Sequence, residues 1–458
     1  MKALVLVAVL GIVSMMADIF GYKKQLWAVV IGGLAFIAGI TFFMDWNVTT
    51  IHYDMMVYDN YAVAFTCLLV LLTLLWVFFS KDSYENEFNI SDHYALILFS
   101  LVGGIVLVSF ADMAMLFLGI EILSIPLYIL AGSRKNNLSS NEASLKYFMM
   151  GAFATGIILF GMALLYGATG SFRLSEIAYF IEMNGTDLPV MFYTGTIILM
   201  IGMCFKVSAF PFHFWAPDVY EGSPIMITSY MATISKTAAF GAFYRLFDTT
   251  FSQISHEWGP ILAIIIASTI LIGNITAVYQ SSVKRMLAYS GIAQAGYMLM
   301  AVLVLSDIAR NALLFYVASY ALATLCAFIV LYHVSKVKEG NETFESFNSL
   351  GKSHPVLAFI MTVSMLSLAG IPPAVGFFAK FYLFTAVLRA GYEWLVLIAI
   401  LGSVISVYYY FRLIIAMYAK EAVGFKIQIK PLYQTLLVIL AVIIIILGLT
   451  PGLVINVL

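Results

Sequence analysis

The chain has 458 residues, of which 63% are hydrophobic and only 10% charged, with a formal net charge of −1 and a mean hydropathy of +1.00. A soluble domain carries roughly a quarter charged residues, so this composition belongs to a protein dissolved in lipid. It does not suggest a nucleic-acid binder, which needs a basic face, and the near-zero charge says nothing about partners.

Apolar runs of about 18–25 residues, the length that crosses hydrocarbon as a helix, recur along the whole chain. They lack the period-two alternation of a β-barrel strand. About fourteen spans are predicted, at 1–20, 26–44, 59–80, 93–110, 113–131, 144–167, 190–210, 224–247, 259–279, 284–304, 308–335, 354–388 with an internal break, 392–418 and 431–455. Met1 to Phe20 has no small-residue cleavage site before Tyr22-Lys23-Lys24, so it is read as a retained helix. The longest polar runs, 168–189 and 336–353, are expected at the surface, and no loop is long enough for a soluble domain. Cys67, Cys204 and Cys326 all fall inside apolar runs without C-x-x-C spacing and read as small hydrophobes.

Basic residues concentrate on one side: Lys23, Lys24, Lys81, Arg134, Lys135, Lys284, Arg285, Lys336, Lys352 and Lys430, among others, fall in alternate loops. The opposite loops hold only Lys2, Arg173, Arg245, Arg310 and Arg389. The positive-inside rule then puts both termini on the outer side.

Two spans are interrupted. One reads Lys206-Val-Ser-Ala-Phe-Pro211-Phe-His213-Phe-Trp-Ala-Pro217, the other Ala369-Gly370-Ile-Pro372-Pro373-Ala-Val-Gly376-Phe-Phe-Ala-Lys380. Proline has no N–H and clashes with the carbonyl four residues back. Pro211 therefore frees the Val207 carbonyl, and Pro372 and Pro373 free those of Leu368 and Ala369. Within a membrane such carbonyls must be buried in protein or face water. Paired broken helices point to inverted repeats with an ion site at mid-membrane, and the spacing of about 160 residues fits two five-helix repeats. The expected fold is an all-α polytopic membrane protein: 1–92 with helices 1–3, 93–247 as a first repeat, 248–418 as a second, and 419–458 as the last helix.

Four charged residues lie deep inside apolar spans: Glu121, Lys206, Lys236 and Lys380. Such groups are costly in lipid and mark ion or proton paths when they face the protein interior. A lysine and a glutamate placed near one another each favour the other's charged form, so separating Glu121 from Lys206 would loosen the lysine's proton. Lys236, in Ala232-Thr-Ile-Ser-Lys236-Thr, has small and hydroxyl neighbours that leave room for water. The competing reading for each is a structural ion pair or a static salt bridge. His213 beside the first break is either a proton relay or an ordinary hydrogen-bonded histidine. Asp218 and Glu221 either line a proton inlet or cap the helix beginning near Pro224. Asp112, at the outer edge of its helix, is expected in solvent. Gly151, Gly156 and Gly161 are expected to allow close helix packing. No dinucleotide fingerprint is present, and Gly351-Lys352-Ser353 lacks the upstream glycine of a phosphate loop, with Ser346 in its place. No metal site or cofactor on this chain is expected.

The run Phe205-Lys206-Val-Ser-Ala-Phe-Pro211-Phe-His213-Phe-Trp215-Ala-Pro217-Asp218-Val-Tyr220-Glu221-Gly222-Ser-Pro224 resembles the signature of the antiporter-like subunits of respiratory NADH:quinone oxidoreductase, complex I. Lys284-Arg285-Met-Leu-Ala-Tyr289-Ser290 and Gly370-Ile-Pro372-Pro-Ala-Val-Gly376-Phe-Phe-Ala-Lys380-Phe are similar to that family too. The resemblance covers nearly the whole chain, and the Asp-Val-Tyr-Glu-Gly-Ser-Pro run, the length and the lysine before Phe381 favour its N branch over the larger M and L branches. It implies a proton-translocating membrane-arm subunit of a bacterial inner membrane, between subunits K and M. NADH, FMN, iron–sulfur clusters and quinone would belong to partner subunits. It further implies that Glu121 modulates Lys206, that Lys236 connects half-channels, and that Lys380 is the terminal station. In Ser290-Gly-Ile-Ala-Gln294-Ala-Gly296-Tyr297 the family often has histidine where Gln294 stands; an amide holds water but carries no proton, so a water wire is expected there. Multi-subunit sodium/proton antiporters and membrane-bound hydrogenases share these lysines and breaks, and a spacer with an inactive channel is a third reading.

Overall fold

The computed structural model describes residues 1–84, 89–185, 187–421 and 426–452. The ends of two expectations, residues 453–455 of the last span and 422–425 with 453–458 of the C-terminal segment, lie outside the described residues. The chain is mostly helical, as it must be where lipid offers no partner for peptide groups. In order the helices are α1 Lys2–Met15, α2 Leu26–Met44, α3 Asn60–Tyr84, α4 Ile90–Ser109, α5 Met113–Ala131, α6 Leu138–Thr169, α7 Leu174–Asn184, α8 Val190–Lys206, α9 Trp215–Gly222 and α10 Ile225–Tyr230. There follow α11 Lys236–Leu246, α12 Ser255–Val278, α13 Val283–Val304, α14 Asp307–Val337, α15 Leu350–Ser353, α16 Pro355–Ala369, α17 Val375–Arg389, α18 Glu393–Ala419 and α19 Pro431–Leu449. Among the described residues, 10 helical stretches are long and apolar enough to cross a membrane, and α1, α8 and α16 are shorter apolar helices.

Both expected interruptions are present. α8 ends at Lys206 and the chain turns through Ser208, at φ 62°, before Pro211; α16 ends at Ala369 and turns through Gly370, at φ 82°, before Pro372-Pro373. A π-helical turn, Met231–Ser235, joins α10 to α11. Three features differ from the sequence reading. An antiparallel hairpin, β1 Thr50–His52 and β2 Met56–Tyr58, sits in the loop before α3, with Thr50 opposite Tyr58. The run 168–189, read as polar surface, contains α7, which buries Leu174, Ile177 and Ile181 and is amphipathic rather than merely polar. Asp112, expected in solvent, is 8% exposed: its carboxylate accepts the Ala114 N–H at 2.7 Å and caps α5, satisfying a helix-start donor. Ser282 and Ser306 cap α13 and α14 in the same way.

The chain forms two compact units. Of the described residues, the first holds those of Met1–Ser208 and Ile234–Leu262, and the second holds those of Ala209–Thr233 and those from Ala263 to residue 452. In the first, α4 packs against α1, α3, α5 and α11, and α6 packs against α8. In the second, α14 packs against α10, α13, α16, α17 and α19. Lipid gives helices no hydrophobic reason to associate, so close approach and dispersion contacts must hold them. Small residues supply that approach: Gly103 faces the backbone of Leu123, Gly161 faces Gly195 and Leu199, and Gly273 faces the backbone of Ala293. Of the expected glycine run, Gly151 packs on Tyr128 and Gly161 on α8, but Gly156 has no neighbour within 4 Å. The three cysteines are buried and unlinked.

A side chain at position 103 would collide with α5 backbone, which cannot rotate away. Gly103→Val is expected to destabilise the detergent-solubilised protein by about 2–3 kcal/mol or more, read as a lowered Tm or lost yield. Gly32→Ala, where nothing lies within 4 Å, should change neither.

Candidate functional site

In the first unit the relevant side chains come from α5, α6, α8 and α11. Glu121 and Ser124 lie one turn apart on α5, and so share a face. Thr155 on α6 donates to Glu121 Oε1 at 2.7 Å. Lys206, in the last turn of α8, donates from Nζ to Ser124 Oγ, and Ser124 Oγ in turn donates to the Ile120 carbonyl. A cation in the last turn of a helix also faces the negative end of its dipole. Glu121 and Lys206 are thus brought onto the same stretch of α5, yet no ion pair joins them among the described residues. Each is held by a hydroxyl instead: Thr155 for the carboxylate and Ser124 for the ammonium. Sequence reasoning singled out the two charges and missed the hydroxyls. Ser124, three residues after Glu121, carried a readable signal; Thr155, on another helix, did not.

Lys236 is 5% exposed and opens α11 immediately after the π-helical turn. π-Bulges inside helices occur frequently at functional sites because the extra residue redirects side chains. Among its neighbours in the chain, Thr233 Oγ1 donates to the Ser229 carbonyl at 2.6 Å, and Thr237 Oγ1 is buried without a hydrogen bond among the described residues. α11 is fixed against α3 through Tyr61, whose hydroxyl donates to the Gly241 carbonyl at 2.8 Å.

In the second unit, the two carbonyls that the prolines free are both taken. Lys380 Nζ donates to Ala369 O at 3.0 Å, and Gln294 Nε2 donates to Leu368 O at 2.9 Å. Lys380 is 6% exposed; it also donates to Ser403 Oγ at 3.1 Å and lies 4.8 Å from the centre of the Tyr297 ring. Gly370 makes room for it. A Cβ there would press on the Lys380 side chain, and the left-handed backbone is one that other residues resist. Gln294 is 3% exposed, and Tyr316 donates to its Oε1. Gln294 and Lys380 line one cavity, with Tyr316, Ser319, Tyr320 and Ser367, that has room for about one water. Ser403, Tyr297 and Tyr316 were not legible in the sequence, because they reach the site only through helix packing.

His213 is buried with its ring 4.5 Å from that of Phe214; its Nδ1 makes no hydrogen bond among the described residues, while the ring interacts with the Pro211 backbone. Asp218 and Glu221 do not cap the helix after Pro224, which has no side-chain cap. Both carboxylates pair with Arg285, the Asp218 contact being 3.1 Å. Lys284 donates to the Glu221 and Ser223 carbonyls at 2.9 and 2.7 Å and so closes the end of α9. Consecutive basic residues of α13 thereby clamp α9, one through its side chains and one through its backbone. Among the described residues no cluster of histidine, cysteine or carboxylate groups could hold a metal ion.

The family described as NADH:quinone oxidoreductase/Mrp antiporter, transmembrane, matches residues 111–406, which include all four intramembrane charges. An NADH-quinone oxidoreductase subunit N from Cytophaga hutchinsonii is 51% identical over 461 residues, covering 100% of this chain and 99% of its own. A chain of respiratory complex I from Thermus thermophilus superposes with a TM-score of 0.85 at 32% identity, covering 99% of this chain and 98% of its own. A chain of the Mrp complex from Dietzia sp. superposes with a TM-score of 0.87 at 20% identity, covering 99% and 95%, a likeness of fold alone. Sequence and fold agree over the full length, and the chain belongs to the NADH:quinone oxidoreductase/Mrp antiporter family of membrane proteins.

Proposed function

We propose that this chain is an N-type, proton-translocating subunit in the membrane arm of an NADH:quinone oxidoreductase, acting as part of a translocase and carrying no redox centre itself. The observation that carries this reading is a set of lysines kept inside the protein on hydroxyls and carbonyls: Lys206 on Ser124, Lys380 on Ala369 O and Ser403. An ammonium bonded to neutral acceptors can lose its proton without leaving an uncompensated buried carboxylate, whereas a lysine locked in a salt bridge cannot. Glu121 lies one turn from the Ser124 hydroxyl that holds Lys206, so a small change in the separation of the two charges would alter how firmly the lysine keeps its proton. Glu121, Lys206, Lys236 and Lys380 are the proposed stations. Gln294 is placed beside Lys380 as a neutral holder of water, His213 in a secondary role, and Asp218 and Glu221 as anchors of α9.

The full-length similarity supports a finer reading: about fourteen membrane helices, with two inverted five-helix repeats at 93–247 and 248–418. The two breaks support the repeats, each having a left-handed residue, Ser208 or Gly370, three residues before a proline. In this reading the N-terminal helices 1–92 and the last helix flank the repeats, and both termini face the periplasm of a bacterial inner membrane. The neighbours are subunits K and M, and quinone reduction on partner subunits, with their NADH, FMN and iron–sulfur clusters, drives the stations.

Purification of the tagged chain from native membranes in mild detergent tests the assembly. Recovery with NADH:quinone reductase activity is expected; recovery with antiporter partners and no NADH oxidation would move the same proton path to a different machine. Within the complex, Glu121→Ala and Lys206→Ala are each expected to lower proton pumping about tenfold or more with assembly intact. Ser124→Ala, which removes one hydrogen bond to a charged group, should cost about tenfold. Normal pumping in the Glu121 and Lys206 variants would leave the chain a structural spacer.

A further inference from the structure

Two of the hydrogen bonds around Gln294 have a direction fixed by chemistry. The Leu368 carbonyl can only accept, so the Gln294 NH2 faces it. Oε1 therefore faces Tyr316, and the Tyr316 hydroxyl spends its only hydrogen there. Ser319 spends its own on the Tyr316 carbonyl, at 2.9 Å. Tyr316 and Ser319 have thus spent their own hydrogens and offer only lone pairs to the small cavity that they line with Lys380, Tyr320 and Ser367. Lone pairs favour an occupant rich in protons, either an ammonium or a water that has received its proton.

We propose that Tyr316 is a positioning residue for proton exchange at Lys380: oriented by Gln294, its hydroxyl offers a lone pair, not a hydrogen, to the cavity, a socket that favours the protonated state of the lysine. This deepens, and rests on, the reading of Lys380 as a proton station. Gln294 does so without carrying a proton, which gives the amide a part that a water wire alone does not require. With an apolar residue at 294 the hydroxyl is released to point into the cavity as a donor, which opposes a protonated neighbour. The ionisable groups facing Lys380 are Tyr297 of α13 and Tyr316 and Tyr320 of α14; α16 and α18 contribute Ala369 O and Ser403 Oγ. α19, which also packs on α17, has Tyr433 as its only ionisable residue.

The test is the pH dependence of proton pumping by the assembled complex in vesicles, normalised to its NADH oxidation with an uncoupler present. Tyr316→Phe and Gln294→Met should each move the alkaline midpoint about one pH unit or more to lower pH. The double variant should shift no further than Tyr316→Phe alone, since both act through one hydroxyl. Unmoved midpoints, or shifts that add, would overturn the proposal. Should Tyr316→Phe fail to assemble, Gln294→His carries the test. A neutral imidazole accepts from Tyr316 and donates to Leu368 O, so it should keep the midpoint that Gln294→Met loses; an equal shift in both would overturn the proposal. Lys380→Ala separates this from the broader reading. Pumping that survives it removes Lys380 as a station altogether, whereas lost pumping with unmoved Tyr316 and Gln294 variants removes only the socket.

Discussion

The second half of the molecule depends on two carbonyl oxygens. Pro372 and Pro373 deny Leu368 and Ala369 their helical partners, and in hydrocarbon an unpaired carbonyl costs several kcal/mol. Gln294 and Lys380 supply the missing donors. Each pairing settles two problems together, because the buried lysine and the buried amide need acceptors as much as the carbonyls need donors. A helix break therefore holds a buried titratable group that has no counter-ion among the described residues. Gly370 completes the arrangement by turning the chain and leaving space for the Lys380 side chain.

The first half reaches a related end by other means. Lys206 ends a helix at its own break and binds a hydroxyl on α5 rather than the carboxylate three residues earlier on it. Glu121 has its own hydroxyl in Thr155. A contact ion pair would hold both groups charged and cost several kcal/mol to open. Glu121 and the Ser124 hydroxyl that holds Lys206 lie one turn apart on α5, so the two charges are neighbours without a contact ion pair among the described residues. Lys206 and Lys380 thus meet neutral, hydrogen-bonding partners, whereas Arg285 pairs with two carboxylates and Lys284 takes two backbone carbonyls, which together fix α9 in place.

Much of this was legible in the sequence because membrane proteins write their constraints in composition. Long apolar runs gave the helices, and charges within them gave the candidate site residues. The prolines named in advance the two carbonyls that would need donors. What the sequence could not say was which donors would come, since Gln294 and Lys380 lie on different helices, α13 and α17, and meet only when those helices pack. The same limit hid Ser403, Tyr316 and Thr155. Asp112 was misjudged because position near a helix end suggests solvent, whereas its capping bond and the fold over it bury it. The α7 helix was hidden by its polar face, and the π-helical turn before Lys236 has no signature in residue type.

The central claim is that Lys380 works by exchanging a proton, not by lending a charge. Lys380→Arg in the assembled complex tests this most directly, with proton pumping measured per NADH oxidised. Arginine keeps the positive charge and can donate to the Ala369 carbonyl, but it does not give up its proton in a protein. The account predicts pumping reduced as severely as in a variant with no cation at that position. Pumping retained with arginine would contradict it and leave Lys380 as a structural charge that closes a broken helix.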